Sequence, residues 1–326
     1  MSFDIVCLRP EADFLKVEVT PPAALSIAYR APDDPQLASL VRDARALVIP
    51  AVGPKLSPDL FTGSTINLVQ VTGAGVDRLD AGAMKEFGIP VCNVAGGSNE
   101  AVAEYALANA LVLLRRLAWA DHEIRAGNYE TFRKRMVDDS LRGIGGLTVG
   151  VVGFGNIGVS VARAFRSMGA SIVYYDPAPP DTKAVSGLNA TPLSLDDLLA
   201  AADVVTLHVP LLPETSGLIG RSELARMKPD AILINAARGG VVDEAALADA
   251  LTAGRVGGAA LDVYESEPPP GANPLLLLEG EAARRVLFTP HIAGITRQSW
   301  ARLFRLAWEN VERVVLHGRE PRYRVY

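Results

Sequence analysis

Three stretches of the 326-residue chain place chemically capable side chains directly after apolar runs. "ILINAARGG" carries Arg238, "GGAALDVYESEPPP" carries Asp262 and Glu267, and "VLFTPHIAG" carries His291. Each run reads as a buried strand, and ligands of open α/β sheets bind outside the carboxyl ends of the strands. An arginine, a carboxylate and a histidine placed this way can therefore share one cleft. A guanidinium fork can hold the carboxylate of a 2-oxo acid in a bidentate pair and polarise the adjacent carbonyl. A histidine can give or take a proton near neutral pH, and a carboxylate beside it favours its protonated form. Hydride transfer from a nicotinamide to a 2-oxo acid needs this combination.

Only four histidines occur in the chain. His122 lies among charges in "WADHEIRAG", and His317 in "VVLHGRE" sits at a helix end where a cation complements the dipole. Both read as solvent-facing. His208 ends the apolar run "VVTLHVP", so it either lines the cofactor cleft or packs as a hydrogen-bonded core residue. His291 differs from an isolated packing histidine because Arg238, Asp262 and Glu267 end neighbouring predicted strands. Pro290 and Gly294 then read as the residues that present it.

The cofactor signal is "TVGVVGFGNIGVSVARAFRSMGASIVYYDP". Gly153, Gly155 and Gly158 form G-x-G-x-x-G after a predicted strand, where a helix opens. The first glycine permits the tight turn, the second lets the backbone approach a pyrophosphate, and the third allows close helix–strand packing. Such a motif alone is common. Here the next strand, "SIVYYD", ends about 20 residues on in Asp176, placed to hold the adenine ribose hydroxyls. A carboxylate there repels a 2′-phosphate, so NAD (NADH) is favoured over NADP. No P-loop motif is present.

Those groups require α/β elements to carry them. Predicted strands before residue 100 are "FDIVCL", "ALVIP", "NLVQVTG" and "IPVCNV"; those after residue 147 are "TVGVVG", "SIVYYD", "DVVTLHV", "AILINAA", "GGAALDV" and "RVLFTP". Their Val, Ile and Leu content on both faces fits parallel sheets covered by helices. "SNEAVAEYALANALVLLRRLAWADHEIRAG" reads as one long helix leading from a first domain to a second. "TRQSWARLFRLAWENVERVVLHGREP" reads as a final amphipathic helix, stopped by Gly318 and Pro321. Hydrophobic residues make up 49% and charged residues 21%, with a net charge of −5, which suits a soluble protein and argues against a nucleic-acid surface. Cys7 and Cys92 read as buried small hydrophobes. Two cysteines and four scattered histidines offer no zinc cluster, and no membrane segment or secretory signal is visible. A cytoplasmic location follows as the expectation.

The motifs "VVGFGNIG", "HVPLLPETSGLI", "INAARGGVVDEAAL", "GAALDVYESEP" and "TPHIAG" occur in a characteristic order and spacing. Over nearly its whole length the chain resembles the D-isomer-specific 2-hydroxyacid dehydrogenases, the family of D-3-phosphoglycerate dehydrogenase and glyoxylate/hydroxypyruvate reductase. The resemblance implies an NAD-dependent oxidoreductase that interconverts a small 2-oxo acid and the D-2-hydroxy acid. It implies two doubly wound parallel-sheet domains, a Rossmann NAD-binding domain (99–296) inserted into a flavodoxin-like substrate domain (1–98 and 297–326). Arg238 becomes the substrate anchor, and Glu267 with His291 the acid–base dyad. Asn156, Ile157, His208, Pro210, Thr215, Ala236 and Asp262 join the three glycines and Asp176 at the cofactor. Ala74 and Gly75, in "VTGAGVDRLD", supply backbone N–H groups to the substrate. A homodimer through the NAD domain is implied, with residues 121–142 as the projecting segment. An NAD(H)-responsive co-repressor or sensor on the same fold is the alternative.

Some positions depart from the family pattern. Ala95 stands where many relatives have proline, and Tyr105 where many have histidine. Glu267 argues against formate dehydrogenase, which has glutamine there, and Thr72 against phosphite dehydrogenase, which has lysine. The chain ends soon after its last predicted helix, without room for the regulatory tail of longer phosphoglycerate dehydrogenases.

Overall fold

In the computed structural model, which describes residues 3–178 and 185–326, the chain divides into one unit of residues 1–98 and 295–326 and another of residues 99–294. The return to the first unit comes at Ile295 rather than at position 297. Thr296, the residue that caps the last helix through its hydroxyl, therefore lies in the unit where that helix packs.

The first unit is built on a parallel sheet of β1 (Ile5–Cys7), β2 (Ile27–Tyr29), β3 (Ala46–Ile49), β4 (Val69–Val71) and β5 (Val91–Cys92) in the order β2-β1-β3-β4-β5. That is the flavodoxin-like order. Alternation sorts the side chains. Ile5, Cys7, Ala46 and Val48 join a core that includes Phe304, Trp308, Val311 and Val315 of the final helix Arg297–Val315. Val6, Leu8, Leu47 and Ile49 join the core on the opposite face. Buried Asn310 fastens that helix, donating to Gln70 Oε1 at 2.7 Å and accepting from Arg322 N at 2.7 Å. Both cysteines are buried and unpaired, as small hydrophobes.

The second unit carries a parallel sheet of β6 (Thr148–Val152), β7 (Ser171–Tyr175), β8 (Thr191–Pro192), β9 (Val204–Leu207), β10 (Ile232–Asn235), β11 (Gly258–Leu261) and β12 (Val286–Phe288). Its order is β12-β11-β10-β9-β6-β7-β8, so the chain reverses direction across the sheet between β6 and β9. In doubly wound folds that reversal opens the ligand crevice. One face packs Val149, Val151, Ile232 and Ile234 against Ala103, Ala106 and Ala110 of the helix Asn99–Leu114. The other packs Val205, Leu207, Leu233 and Leu261 against Leu198, Leu247 and Leu251.

The single long helix read from residues 98–127 is instead broken. Helix Asn99–Leu114 ends, Arg116 takes the left-handed conformation at φ 51°, and a new helix runs over Leu117–Arg125. The Arg116 guanidinium pairs with Asp139 and lies 5.5 Å from the centre of the Trp119 ring. These contacts reward the break. The edge strands β2 and β8, only three and two residues long, were not foreseen in the sequence. No helix among the described residues is long and apolar enough to cross a membrane.

Asp203 ties the start of the second sheet together. It accepts from Thr148 N at 2.9 Å, Arg142 at 3.1 Å and Lys228 at 3.0 Å. Burial pushes its carboxyl up, but the Thr148 bond and the two cations outweigh that and hold it below the usual range. Asp203→Asn is expected to cost about 1–3 kcal/mol at pH 7 by chemical denaturation. A carboxylate with a depressed folded pKa stabilises above its unfolded value, near pH 4, and loses this as pH falls through the folded value. The gap between variant and wild type should therefore close in that acid window. A gap that stays constant from pH 7 to pH 3 would contradict this account.

Candidate active site

The chemistry in the second unit begins where β10, β11 and β12 end. Glu267 Oε2 lies 2.7 Å from His291 Nδ1, and Glu267 Oε1 accepts from Tyr264 N at 3.2 Å. The carboxylate is thus fixed at both oxygens, and it orients the imidazole through one nitrogen. Burial raises the Glu267 carboxyl, but the hydrogen bond and charge of His291, the Tyr264 amide and the Arg238 charge together lower it. Arg238 therefore stands near enough to act electrostatically on the dyad, and its Nη1 donates to Ala237 O at 2.7 Å. The structure brings Arg238, Glu267 and His291 to one end of one sheet.

Two unforeseen residues create that convergence. Buried Asn235 closes the turn after β10, accepting from Ala237 N at 3.1 Å and donating to Arg238 O at 3.1 Å. Gly239 has no room for a side chain, since a Cβ there would lie 1.7 Å from Tyr264 O. The Arg238 loop is thereby pressed against the loop that carries Glu267.

His291 itself takes a left-handed backbone conformation, φ 55°, and its N–H donates to Asp262 O at 2.8 Å. Asp262, expected at the cofactor, is 1% exposed and has its carboxylate committed to this loop. Oδ1 accepts from Thr289 Oγ1 at 2.6 Å and Ile292 N at 2.8 Å, and Oδ2 from Ala293 N at 2.7 Å. This carboxylate holds the histidine's loop, so the presentation of His291 expected of Pro290 and Gly294 rests on Asp262 as well.

At the reversal between β6 and β9 the three fingerprint glycines behave differently. Gly153 has φ 88°, and a Cβ would meet His208 O at 2.6 Å; at Gly158 a Cβ would meet Gly153 O at 2.0 Å. Both are required by the protein's own packing. At Gly155 a Cβ would meet nothing within 4 Å. Its bareness keeps open space at the start of the helix Asn156–Ser167, whose first turn has no side-chain cap. Such a terminus suits a phosphate, and Asn156 and Ile157 lie in that turn. Asp176, at the end of β7, accepts from Phe154 N at 2.7 Å and Ala178 N at 2.9 Å, so its carboxylate is held beside the fingerprint loop.

His208 Nε2 lies 2.8 Å from Thr206 Oγ1, while Nδ1 is enclosed without a partner. Burial pushes its pKa down to about 3, so the ring is neutral and cannot be the protonated acid. Thr215 shapes the following loop, donating to Pro210 O at 2.6 Å and accepting from Leu212 N at 2.8 Å. Ala236 is half-buried in the turn that Asn235 closes. His122 and His317 are exposed. In the first unit, Ala74 is exposed with its carbonyl accepting from Asn93 at 2.7 Å, and Gly75 is half-buried beside it. Among the described residues, no group of three or more His, Cys, Asp or Glu side chains could hold a metal ion.

Residues 107–293 match the family model described as D-isomer specific 2-hydroxyacid dehydrogenase, NAD binding domain. The chain belongs to this family. It is 42% identical over 234 residues to a D-3-phosphoglycerate dehydrogenase of Archaeoglobus fulgidus, covering 72% of this chain and 42% of that protein. It is 36% identical over 302 residues to a glyoxylate reductase of Korarchaeum cryptofilum, covering 92% and 85%. Among solved structures, a D-lactate dehydrogenase from Aquifex aeolicus, complexed with NAD and lactic acid, superposes with a TM-score of 0.81 at 28% identity, covering 96% of this chain and 95% of that one. The chain spans about half the length of the curated D-3-phosphoglycerate dehydrogenases it matches. As a member of the D-2-hydroxyacid dehydrogenase family, it carries the dyad, Arg238 and the glycine loop inside the matched NAD-binding region or directly at its edge.

The glycines separate packing from binding. Gly155→Ala is expected to leave the melting temperature within a few degrees yet weaken NAD binding roughly tenfold or more, a clash being worth about 1–3 kcal/mol. Gly158→Ala should instead destabilise the fold itself. Calorimetry with and without NAD reads both effects, and unimpaired NAD binding by Gly155→Ala would refute the assignment.

Proposed function

We propose that this chain is an NAD-dependent D-2-hydroxyacid dehydrogenase that reduces a small 2-oxo acid to the D-2-hydroxy acid. The observation that carries the reading is the 2.7 Å pair of His291 and Glu267 with the Arg238 charge beside it, in a unit matched as an NAD-binding domain. The open site at Gly155, the uncapped helix start and the held Asp176 carboxylate fit a dinucleotide. They would take its pyrophosphate and adenine ribose, with Asn156, Ile157, His208, Pro210, Thr215 and Ala236 lining the remainder. Bound NADH supplies the hydride.

The chain's own residues supply charge and a proton. Arg238 holds the substrate carboxylate. Glu267 keeps Nδ1 of His291 engaged, so that Nε2 delivers the proton to the forming alkoxide. Glu267 is held below the usual carboxylate range, so it remains a hydrogen-bond acceptor for His291 Nδ1. The organisation into a cofactor unit (residues 99–294) and a substrate unit is part of this proposal. So is homodimer formation through the NAD domain by residues 121–142, where Ile124 is 49% and Val137 63% exposed. Small acids such as glyoxylate and hydroxypyruvate are favoured, and a cytoplasmic setting suits that chemistry.

A panel of glyoxylate, hydroxypyruvate, pyruvate and branched 2-oxo acids, each with NADH and NADPH, tests the reading. NADH oxidation by at least one acid is expected. None at high protein concentration would overturn the enzymatic proposal in favour of an NAD(H)-responsive sensor. In the active pair, His291→Ala should lower kcat by roughly a hundredfold or more with NADH affinity unchanged. Turnover close to wild type would remove His291 from its role. Asp176→Ala should weaken NADH and narrow its margin over NADPH, and an unaltered margin would count against the ribose assignment.

A further inference from the structure

Outside the dyad, a phenol, an alcohol and a carboxylate form a chain that ends at the His291 loop. The Tyr105 hydroxyl, on the helix Asn99–Leu114, lies 2.7 Å from Thr289 Oγ1. Thr289 Oγ1 in turn donates to Asp262 Oδ1 at 2.6 Å. A carboxylate only accepts, and the threonine hydroxyl has one hydrogen, which Asp262 takes. Thr289 must therefore accept from Tyr105, and the direction of the chain is fixed from phenol to carboxylate. Burial raises the Tyr105 pKa, so the phenol remains a donor throughout the neutral range. At the far end, Asp262 holds the amides of Ile292 and Ala293, the two that follow His291.

We propose that Tyr105 is a positioning residue for His291: through Thr289 it fixes the Asp262 carboxylate that clamps the backbone carrying the histidine. A tyrosine serving only to fill space would be replaced by phenylalanine without loss, since the ring is half-buried against apolar neighbours. The hydroxyl has a different task. It satisfies the second lone-pair demand of Thr289 and so leaves that residue's proton for Asp262 alone. Freed from this partner, the Thr289 hydroxyl can rotate toward other acceptors, and one of three donors to a buried carboxylate loses its direction. The consequence for turnover rests on the dehydrogenase reading; the consequence for loop order does not.

Two measurements on the full chain test this. One is kcat and KM for the best acid of the panel, with NADH affinity by fluorescence. The other is amide hydrogen exchange over residues 289–294, which is readable whether or not any acid turns over. Tyr105→Phe is expected to lower kcat roughly five- to tenfold and to speed exchange by a similar factor, the change one directed hydrogen bond makes, with KM and NADH affinity within about twofold. Thr289→Val should do at least as much, Thr289→Ser should recover most of that loss, and Tyr105→Phe added to Thr289→Val should change nothing further. Wild-type kcat and wild-type exchange in Tyr105→Phe would overturn the proposal, as would a Thr289→Ser no better than Thr289→Val. Should the wild type turn over no acid, the dehydrogenase reading fails by itself. Exchange then decides alone, faster exchange in Tyr105→Phe supporting the positioning role and unchanged exchange refuting it.

Discussion

The site depends on one buried carboxylate holding a backbone that would not hold itself. A non-glycine residue in the left-handed region costs about 1–3 kcal/mol, and His291 sits there at φ 55°. Asp262, 1% exposed, is a buried polar side chain that costs stability unless donors meet it. Each problem answers the other. The loop brings two amides and a threonine hydroxyl to the carboxylate, and charge-assisted hydrogen bonds contribute about 1.5–3 kcal/mol apiece. Three such bonds outweigh the backbone cost, so the strained conformation is the stable one. Removing the carboxylate would leave both the loop and its N–H groups without a reason to stay.

With the backbone fixed, a single side-chain contact completes the His291–Glu267 pair. Glu267 reaches Nδ1 of His291 because the turn after β11 is pressed against the Arg238 turn, where Gly239 lets the Tyr264 carbonyl come closer than any side chain would permit. The same approach brings the Arg238 charge to bear on Glu267. Positioning and electrostatics therefore share one cause, the lack of a Cβ at residue 239. His208 shows the opposite treatment at a neighbouring strand end, where enclosure of Nδ1 strips the ring of charge. The two histidines thus sit in different settings, one beside a carboxylate and the other against a threonine hydroxyl in an enclosed space.

Much of this was legible in the sequence, because apolar runs followed by functional residues report strand ends directly. Arg238, Glu267 and His291 could be placed at strand ends that way, and the fingerprint glycines at a strand-to-helix turn by their spacing. What stayed hidden depends on contacts between distant segments. Asp262 follows an apolar run like the others, and nothing in its neighbourhood says that its oxygens face the 289–293 loop rather than a cofactor. Asn235 and Gly239 look like ordinary turn residues until the Tyr264 carbonyl is set against them. Strands β2 and β8 are too short to show a period. The break at Arg116 lies in a stretch with good helix formers, and its reward comes from Asp139 and Trp119, which adopt their places only in the fold.

The order of strands then sets what kind of molecule could use all these groups together. Gly155 follows β6, Arg238 follows β10, Glu267 follows β11 and His291 follows β12, in a sheet that runs β12-β11-β10-β9-β6. Neighbouring strands lie about 4.8 Å apart, so the dyad stands three to four spacings, roughly 14–19 Å, from the glycine loop. No small acid reaches from one to the other. A ligand that rests its phosphates on the helix after Gly155 and presents a reactive ring to His291 must be extended across the reversal between β6 and β9. A dinucleotide has that shape, and the parallel register that buries the strands also spaces its two ends.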